Sequence, residues 1–221
     1  PDTTLFRSDH LMVTEADKRK FEIRSLQMQI QPHFVYNTLT AIKFLIWQNE
    51  QEEATQAIDS FVQLLRHTFK REEIVPLKDE LAIVTDYFVL MNVRYGDRIK
   101  STVFTDEGAE QSLVPKMILQ PIIENAYLHA FPAEVMGYIQ IFSRLTKEGL
   151  QIEVIDNGIG FNEADTQQKN QTFDHYSGIG LDNIDQRIKL LYGPKFGLTV
   201  HSRLNEGTSV VLLLPIKQHM P

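Results

Sequence analysis

Apolar side chains recur at a helical period along the first seventy or so residues, which contain no glycine. In a first helix they are spaced three, four and seven apart, at Ile23, Leu26, Ile30, Phe34, Ala41 and Leu45. In a second helix they are Ala54, Ile58, Phe61, Leu65 and Thr68. The polar stretch QNEQEE, residues 48–53, breaks the pattern and predicts a turn. Two amphipathic helices joined in this way form an antiparallel hairpin.

One hairpin has a narrow hydrophobic core. Two hairpins complete a four-helix bundle, so the pattern predicts a homodimer.

The pattern changes after residue 74. A third helix is predicted from Pro76, with apolar positions at Leu77, Leu81, Val84, Phe88, Met91 and Tyr95. Strands are predicted to begin at residues 99, 138, 150, 197 and 208, and helices at 115 and 181. Helices packed on one mainly antiparallel sheet form an α+β sandwich. We therefore predict a helical domain over residues 1–73 and an α/β sandwich domain over residues 74–221.

Composition narrows the possible functions. The chain of 221 residues has a formal charge of −7 and no cysteine. This charge argues against a general nucleic-acid binder, and the lack of cysteine excludes thiol catalysis and cysteine-based zinc sites. No apolar run reaches the roughly 18 residues that a membrane span needs. The polar first residues suggest a segment cut from a longer polypeptide.

The stretch LQMQIQPHFVYNTL, residues 26–39, places a proline directly before a histidine. Inside a helix, Pro32 would free the carbonyl of Met28 at a cost of about 3 kcal/mol, and we expect a bend there. His33 lies roughly 60° from the centre of the first apolar stripe, taking 100° per residue. That position is the border between the buried seam and solvent. From geometry alone, a partly buried histidine with a satisfied hydrogen bond is the simpler interpretation.

Four motifs follow one another in the second half. ENAYLHA places Asn125 and His129 on one helix face, with Glu124 beside them. IDNGIGF places a carboxylate at a strand end before two glycines, SGIGLDNI opens a helix, and EGTSVVLLL begins the last strand. Their candidate residues are Asp156, Gly158, Gly160, Gly178, Gly180, Leu181 and Thr208.

Each motif suits a part of an adenine nucleotide. A carboxylate accepts a hydrogen bond from the exocyclic amine of adenine, glycines permit close approach of the backbone, and a helix N-terminus favours phosphate. An amide oxygen such as that of Asn125 suits Mg²⁺. Each motif alone is equally compatible with a turn or a surface amide. Their order together predicts a nucleotide site, and no P-loop motif is present.

These residues resemble a known family. ENAYLHA, DNGIG, GIGL and the GT at 207–208 resemble the N, G1 and G2 boxes and last motif of the GHKL (Bergerat) ATP-binding superfamily. QPHFVYNTL and GIGLDNIDQRIKLLYG resemble the LytS/YesM-like sensor histidine kinases. The resemblance spans about residues 22–215.

The resemblance implies roles for individual residues. His33 matches the phosphorylated histidine, Asn125 the Mg²⁺-binding asparagine and Asp156 the adenine-binding aspartate. The four glycines match the ATP-lid hinges and phosphate loop, with the lid near residues 162–177, and Thr208 matches a residue near the adenine. Leu181 and His129 join the ATP site.

The chain departs from many histidine kinases at two positions. Phe34 stands where an acidic residue often follows the phosphoacceptor, so Asn37 and Glu124 are the polar candidates for assisting transfer. Leu128 stands where many kinases have lysine, which leaves the triphosphate charge to Mg²⁺, His129 and Arg187.

The implied function is an ATP- and Mg²⁺-dependent autokinase of a two-component system, which passes phosphate from His33 to an aspartate of a response regulator. By the same resemblance, the chain would be the cytoplasmic portion of a membrane protein, with sensor and membrane segments upstream. Two alternatives remain open at this point: a GHKL ATPase that only changes conformation, and a non-catalytic dimerisation scaffold. His67, on the second helix, is the alternative phosphoacceptor.

Overall fold

The computed structural model describes residues 32–69, 72–132, 136–162 and 180–217, with only the backbone described for Pro32, His33 and Asp97. The helices are α1 (Pro32–Trp47), α2 (Gln51–Phe69), α3 (Leu77–Tyr95), α4 (Gln120–Asn125, followed by a π-helical turn, Ala126–Ala130) and α5 (Gly180–Tyr192). The strands are β1 (Ile74–Pro76), β2 (Ile99–Thr105), β3 (Leu113–Pro115), β4 (Gly137–Leu145), β5 (Leu150–Asp156), β6 (Gly197–Arg203) and β7 (Gly207–Leu214). Within these segments, no helix is long and apolar enough to cross a membrane.

A three-residue turn joins α1 to α2, shorter than the predicted turn over residues 48–53. Asn49 adopts a left-handed conformation in this turn, with φ of 61°. Gln51, Glu52 and Glu53 already belong to α2. Acidic side chains in the first turn of a helix are favoured by the helix dipole, which explains why these polar residues start a helix and do not extend the turn.

The predicted apolar face of α2 is partly wrong. Ala54 and Phe61 are buried as expected, but the other buried positions of this helix are Ala57, Ser60, Leu64 and His67. Ile58 is 44% exposed, and Val62, one turn further along, is 37% exposed. The helix carries apolar side chains on two faces, and the predicted stripe combined them.

α3 begins at Leu77, directly after Pro76, and packs against both the hairpin and the second domain. On the hairpin side, the ring of Phe34 stacks on Tyr87, with centroids 5.4 Å apart. On the other side, Tyr87 and Phe88 contact Tyr127, with centroid distances of 6.0 and 6.4 Å. The helix therefore lies between the two parts of the chain, and the boundary at residue 74 stays a prediction.

The main sheet has the strand order β2-β4-β5-β7-β6. β2 and β4 are parallel, while the other three pairs are antiparallel, so the sheet is mainly antiparallel as predicted. All five strands start within a residue of the predicted positions. Alternate side chains of β5 are buried, with Ile152 and Val154 contributing to the core beneath the helices.

The helix predicted from residue 115 begins five residues later. Residues 113–115 form β3, which pairs with β1 in a small antiparallel sheet that the sequence pattern did not indicate. Met117 then adopts a left-handed conformation, with φ of 58°, so the backbone is not helical at this residue and α4 begins after it. Strands of three residues are too short to show an alternating pattern. The sequence pattern therefore predicted neither strand and started the helix at residue 115.

Candidate functional site

A cavity with an empty volume of about 510 Å³ lies between α4, α5 and the strands β5, β6 and β7. Its walls are mainly apolar, with Ile122, Val154, Ile159, Leu181, Val200 and Val210 among them. Its polar side chains are Asn125, His129, Asp156 and Thr208. A mainly apolar cleft with a few convergent polar groups is typical of a small-molecule site.

α4 and its π-helical turn bring Asn125 and His129 to the cavity together, as their spacing of four residues predicted. The Nδ2 atom of Asn125 is buried and has no hydrogen-bond partner within the described part of the chain. A buried amide without a partner is costly, and a bound ligand would remove that cost. Burial lowers the pKa of His129, so its imidazole is favoured in the neutral form near pH 7.

Asp156 ends β5 and is only 8% exposed. Its Oδ1 accepts a hydrogen bond from the backbone N–H of Gly158, at 2.9 Å. Burial raises the pKa of the Asp156 carboxyl to about 6, although the backbone N–H groups of Gly158 and Thr208 oppose the shift. Desolvation therefore exceeds the hydrogen bonds, and the carboxylate is a costly group for the fold to hold.

Glycine is required where β5 meets the end of the π-helical turn. A Cβ atom at Gly158 would lie 2.3 Å from the carbonyl oxygen of Ala130. The next residue, Ile159, donates its N–H to that same oxygen at 2.8 Å. Gly160 lines the cavity in a left-handed conformation, with φ of 54°. Gly158 lets the chain after Asp156 run close beneath the helix, whereas Gly160 lets it run close to the backbone carbonyls of Arg203 and Gly207.

A pair of hydroxyls lies at the last strand, where Thr208 lines the cavity. Ser202 Oγ donates to the carbonyl of Gly207 at 3.1 Å and accepts from the N–H of Phe161 at 2.9 Å. Thr208 Oγ1 lies 3.0 Å from Ser202 Oγ, and we infer that it donates. Sequence reasoning missed Ser202, which becomes visible only through the register that pairs it with Thr208.

Three residues expected near the phosphates or the transfer step lie outside this cavity. Glu124 accepts a hydrogen bond from Gln120 Nε2 at 2.9 Å, and burial raises its pKa. Asn37 lines a separate groove, together with Phe44, Val93 and Arg94 among other residues. Arg187 was expected to help offset the charge of the triphosphate. That expectation is wrong, because its guanidinium is buried and donates to the carbonyl of Lys116 at 2.6 Å.

Several predicted features cannot be placed. His33 lies in the first turn of α1, but its side chain is not among those described. The predicted bend at Pro32 depends on Met28, which lies outside the described residues. Gly178 and most of the predicted ATP lid lie outside them as well, whereas Gly180 starts α5 and Leu181 lines the cavity.

Replacing Asp156 should stabilise the nucleotide-free fold. The raised pKa means that the folded state holds the proton more tightly, so stability from this group falls as pH rises from about 4 to about 6. Two pKa units correspond to about 3 kcal/mol, the upper limit of the gain from Asp156→Asn at pH 7. Thermal unfolding at pH 7 and pH 4.5 should show the gain shrinking at the lower pH. Asp106→Asn, at an exposed aspartate, is the control, and equal gains for both variants would contradict the assignment.

Two family models match the chain in sequence. The histidine kinase family matches residues 21–99. The family described as histidine kinase-, DNA gyrase B- and HSP90-like ATPase matches residues 110–218. Together they cover most of the chain, and the second supports an ATP-binding function for the domain that contains the cavity.

Similar proteins include sensor histidine kinases. The sensor histidine kinase YesM of Bacillus subtilis (strain 168) is 33% identical over 220 residues, which is 97% of this chain and 37% of YesM. The sensor protein kinase HptS of Staphylococcus aureus (strain USA300) is 29% identical over 224 residues, or 97% of this chain and 43% of HptS. The chain thus spans less than half the length of these relatives.

A solved structure supports the fold. The catalytic domain of histidine kinase ThkA superposes with a TM-score of 0.50 at 20% identity, covering 65% of this chain and 94% of that domain. At this identity the likeness concerns the fold alone. From the two family matches and the relatives above, the chain belongs to the LytS/YesM-like sensor histidine kinases, in which a helical histidine kinase segment precedes an ATP-binding domain of the GHKL type.

Proposed function

We propose that the chain is an ATP-dependent histidine autokinase that phosphorylates His33. One observation carries the proposal. Phe34, the residue directly after His33, stacks on Tyr87, and Tyr87 contacts Tyr127 in the π-helical turn that also holds His129. The helix that carries the histidine is therefore connected through two ring contacts to the element that forms one wall of the nucleotide cavity.

Different cavity residues would bind different parts of ATP. The ionised carboxylate of Asp156 would accept a hydrogen bond from the adenine amine, inside a largely apolar enclosure. Thr208 and the glycines after Asp156 would pack close to the base, and the residues at the start of α5 would face the phosphates. His129, favoured as the neutral imidazole, would contribute a hydrogen bond and not a charge.

Asn125 fits a place beside phosphate oxygens, because its buried Nδ2 donor has no partner among the described residues. Its Oδ1 would be the atom that binds Mg²⁺. Mg²⁺, when bound, supplies positive charge that offsets the charge of the phosphates. The chain's own contribution is the side chain of Asn125, held on α4 at the cavity wall.

Phosphoryl transfer would use the imidazole of His33 as the nucleophile. A bond forms between Nε2 and the γ-phosphorus while the bond from the γ-phosphorus to the bridging oxygen breaks, and ADP leaves with the electron pair. Neutral imidazole is already a nucleophile near pH 7, so a strong base is not needed. Asn37, one turn along α1, and Glu124, on α4, are the proposed polar groups that orient the imidazole.

We also propose that the hairpin forms the homodimer. On α1, Tyr36, Leu39 and Ile46 are exposed and follow a helical spacing of three and seven residues. On α2, Ile58, Val62 and Phe69 are also exposed and follow a helical spacing of four and seven residues, with Phe69 78% exposed. Two apolar stripes on one hairpin are what a four-helix bundle would bury.

Further partners follow from likeness to the sensor kinases named above. We propose that phosphohistidine passes its phosphoryl group to an aspartate of a response regulator. We further propose that the full-length protein has sensing and membrane segments, with this part on the cytoplasmic side.

Incubation with γ-labelled ATP should place acid-labile label on the wild-type protein. His33→Gln should abolish this label and leave ATP affinity nearly unchanged. Asp156→Asn should weaken ATP binding about ten- to hundredfold, because a charge-assisted hydrogen bond contributes about 1.5–3 kcal/mol. If transfer runs between subunits, heterodimers of the two variants should carry label on the Asp156→Asn chain.

Other outcomes of this experiment favour the alternatives. Release of labelled phosphate without labelled protein would indicate a conformational ATPase, and neither product would indicate a scaffold. Persistent label on His33→Gln protein would overturn the assignment of His33.

The exposed stripes allow a separate test of the dimer. Val62→Glu and Leu39→Glu should shift the chain from dimer to monomer at micromolar concentration, because a carboxylate would enter an apolar seam. Sedimentation velocity measures the change, and Gln63→Glu is the control on the neighbouring exposed position. A wild-type chain that sediments as a folded monomer would contradict the bundle.

A further inference from the structure

Four ionisable side chains are buried together where the hairpin meets the nucleotide domain, and the proposed chemistry uses none of them. They are His67 on α2, Glu80 on α3, Lys116 before α4 and Arg187 on α5, exposed by 4, 2, 5 and 5%. Burial of charged groups is expensive unless each is paired. The hydrogen-bond partners of these four side chains therefore show which elements they hold together.

Glu80 is the centre of the cluster. Its Oε1 atom lies 3.0 Å from His67 Nε2 and 2.7 Å from the backbone N of Met117, while Oε2 lies 3.0 Å from the backbone N of Ile118. The left-handed conformation of Met117 directs two successive N–H groups at the carboxylate, an arrangement that suits anions. Because the carboxylate accepts, Nε2 of His67 donates.

Lys116 and Arg187 extend the cluster in two directions. Lys116 Nζ donates to the carbonyl of Thr68 at 3.0 Å, near the C-terminal end of α2, where a positive charge is favoured. Arg187 donates to the carbonyl of Lys116 from the opposite side. Residues 116–118 are thus bonded to α2, α3 and α5, and they lead directly into α4. Both α4 and α5 form walls of the nucleotide cavity.

We propose that His67, Glu80, Lys116 and Arg187 form a clamp that sets the position of the phosphoacceptor hairpin relative to the nucleotide domain, with His67 as a positioning residue for transfer to His33. The role rests on the proposed kinase function. Replacing a buried, hydrogen-bonded ionisable pair by apolar residues of similar volume is often neutral or stabilising, and in some proteins such a pair instead fixes one arrangement of its partners. Misplacement of reacting groups by about 1 Å can cost a hundredfold in rate, so such a joint would matter for transfer.

Two amide substitutions at residue 67 test the clamp. The amide nitrogen of His67→Gln can reach Glu80 in the place of Nε2, whereas the shorter side chain of His67→Asn cannot. We expect His67→Asn to lower the rate of His33 phosphorylation at saturating ATP about ten- to hundredfold, with the Kd for ATP within about twofold of wild type. His67→Gln should restore most of the rate.

The control is Glu153→Gln, which alters a carboxylate bonded to Ser209 Oγ at 2.8 Å on the main sheet. It should leave both the rate and the Kd unchanged. A wild-type rate for His67→Asn, or equal losses for the two amide variants, would overturn the clamp.

A distance measurement tests the clamp without kinase activity. Because the chain has no cysteine, spin labels can be placed at Asn49→Cys, in the hairpin turn, and at Lys147→Cys, in the nucleotide domain. Samples diluted with unlabelled chain isolate the distance within one subunit. The distribution should be narrow in the wild type and in His67→Gln, and broader or shifted in His67→Asn.

An unchanged distribution in folded His67→Asn protein would overturn the clamp. If the wild type fails to phosphorylate His33, the proposed function fails, and the distance measurement alone decides on the clamp.

Discussion

The nucleotide cavity depends on the close contact between the end of β5 and the end of the π-helical turn after α4. Gly158 has no Cβ, so the strand end can approach the carbonyl of Ala130, to which Ile159 donates. That contact places Asp156, at the strand end, opposite Asn125 and His129 on the helix. A side chain at residue 158 would separate the two elements, and the side chains proposed to bind adenine and phosphate would no longer line one cavity.

The same helical segment also faces α3, on which the hairpin packs. Consecutive residues on a helix point about 100° apart. Asn125 therefore lines the cavity. Burial raises the pKa of Tyr87 on α3, and Glu124 lies close enough to add to that rise. Two residues further on, Tyr127 meets the rings of Tyr87 and Tyr95. A shift of α4 on nucleotide binding would change both its cavity side and its contacts with α3. Those contacts therefore matter for a reaction between the two parts of the chain.

Local pattern predicted most of the second domain and less of the first. The five main strands alternate clearly, and the glycine motifs have few uses besides turns and ligand contacts. The buried face of α2 could not be predicted, because Ile58 and Leu64 are equally apolar and only the position of α3 decides which is buried. The start of α4 depends on the pairing of β1 with β3, a contact between distant segments. A cation such as Arg187 looks the same in sequence whether it meets a phosphate or a backbone carbonyl.

Two kinds of buried polar group distinguish the cavity from the clamp. In the cavity, Asn125 Nδ2 has no partner in the described part of the chain, and the pKa of Asp156 is raised because its hydrogen bonds do not compensate for desolvation. In the clamp, the carboxylate of Glu80 accepts three hydrogen bonds and is satisfied without any ligand, although Nε of the buried Arg187 has no partner in the described part of the chain. Asn125 and Asp156 are left incomplete where they line a cavity and favour a bound molecule, whereas the satisfied Glu80 favours one geometry of the chain. An autokinase needs both, because a nucleotide held in the cavity reacts only if the histidine is held at the right distance from it.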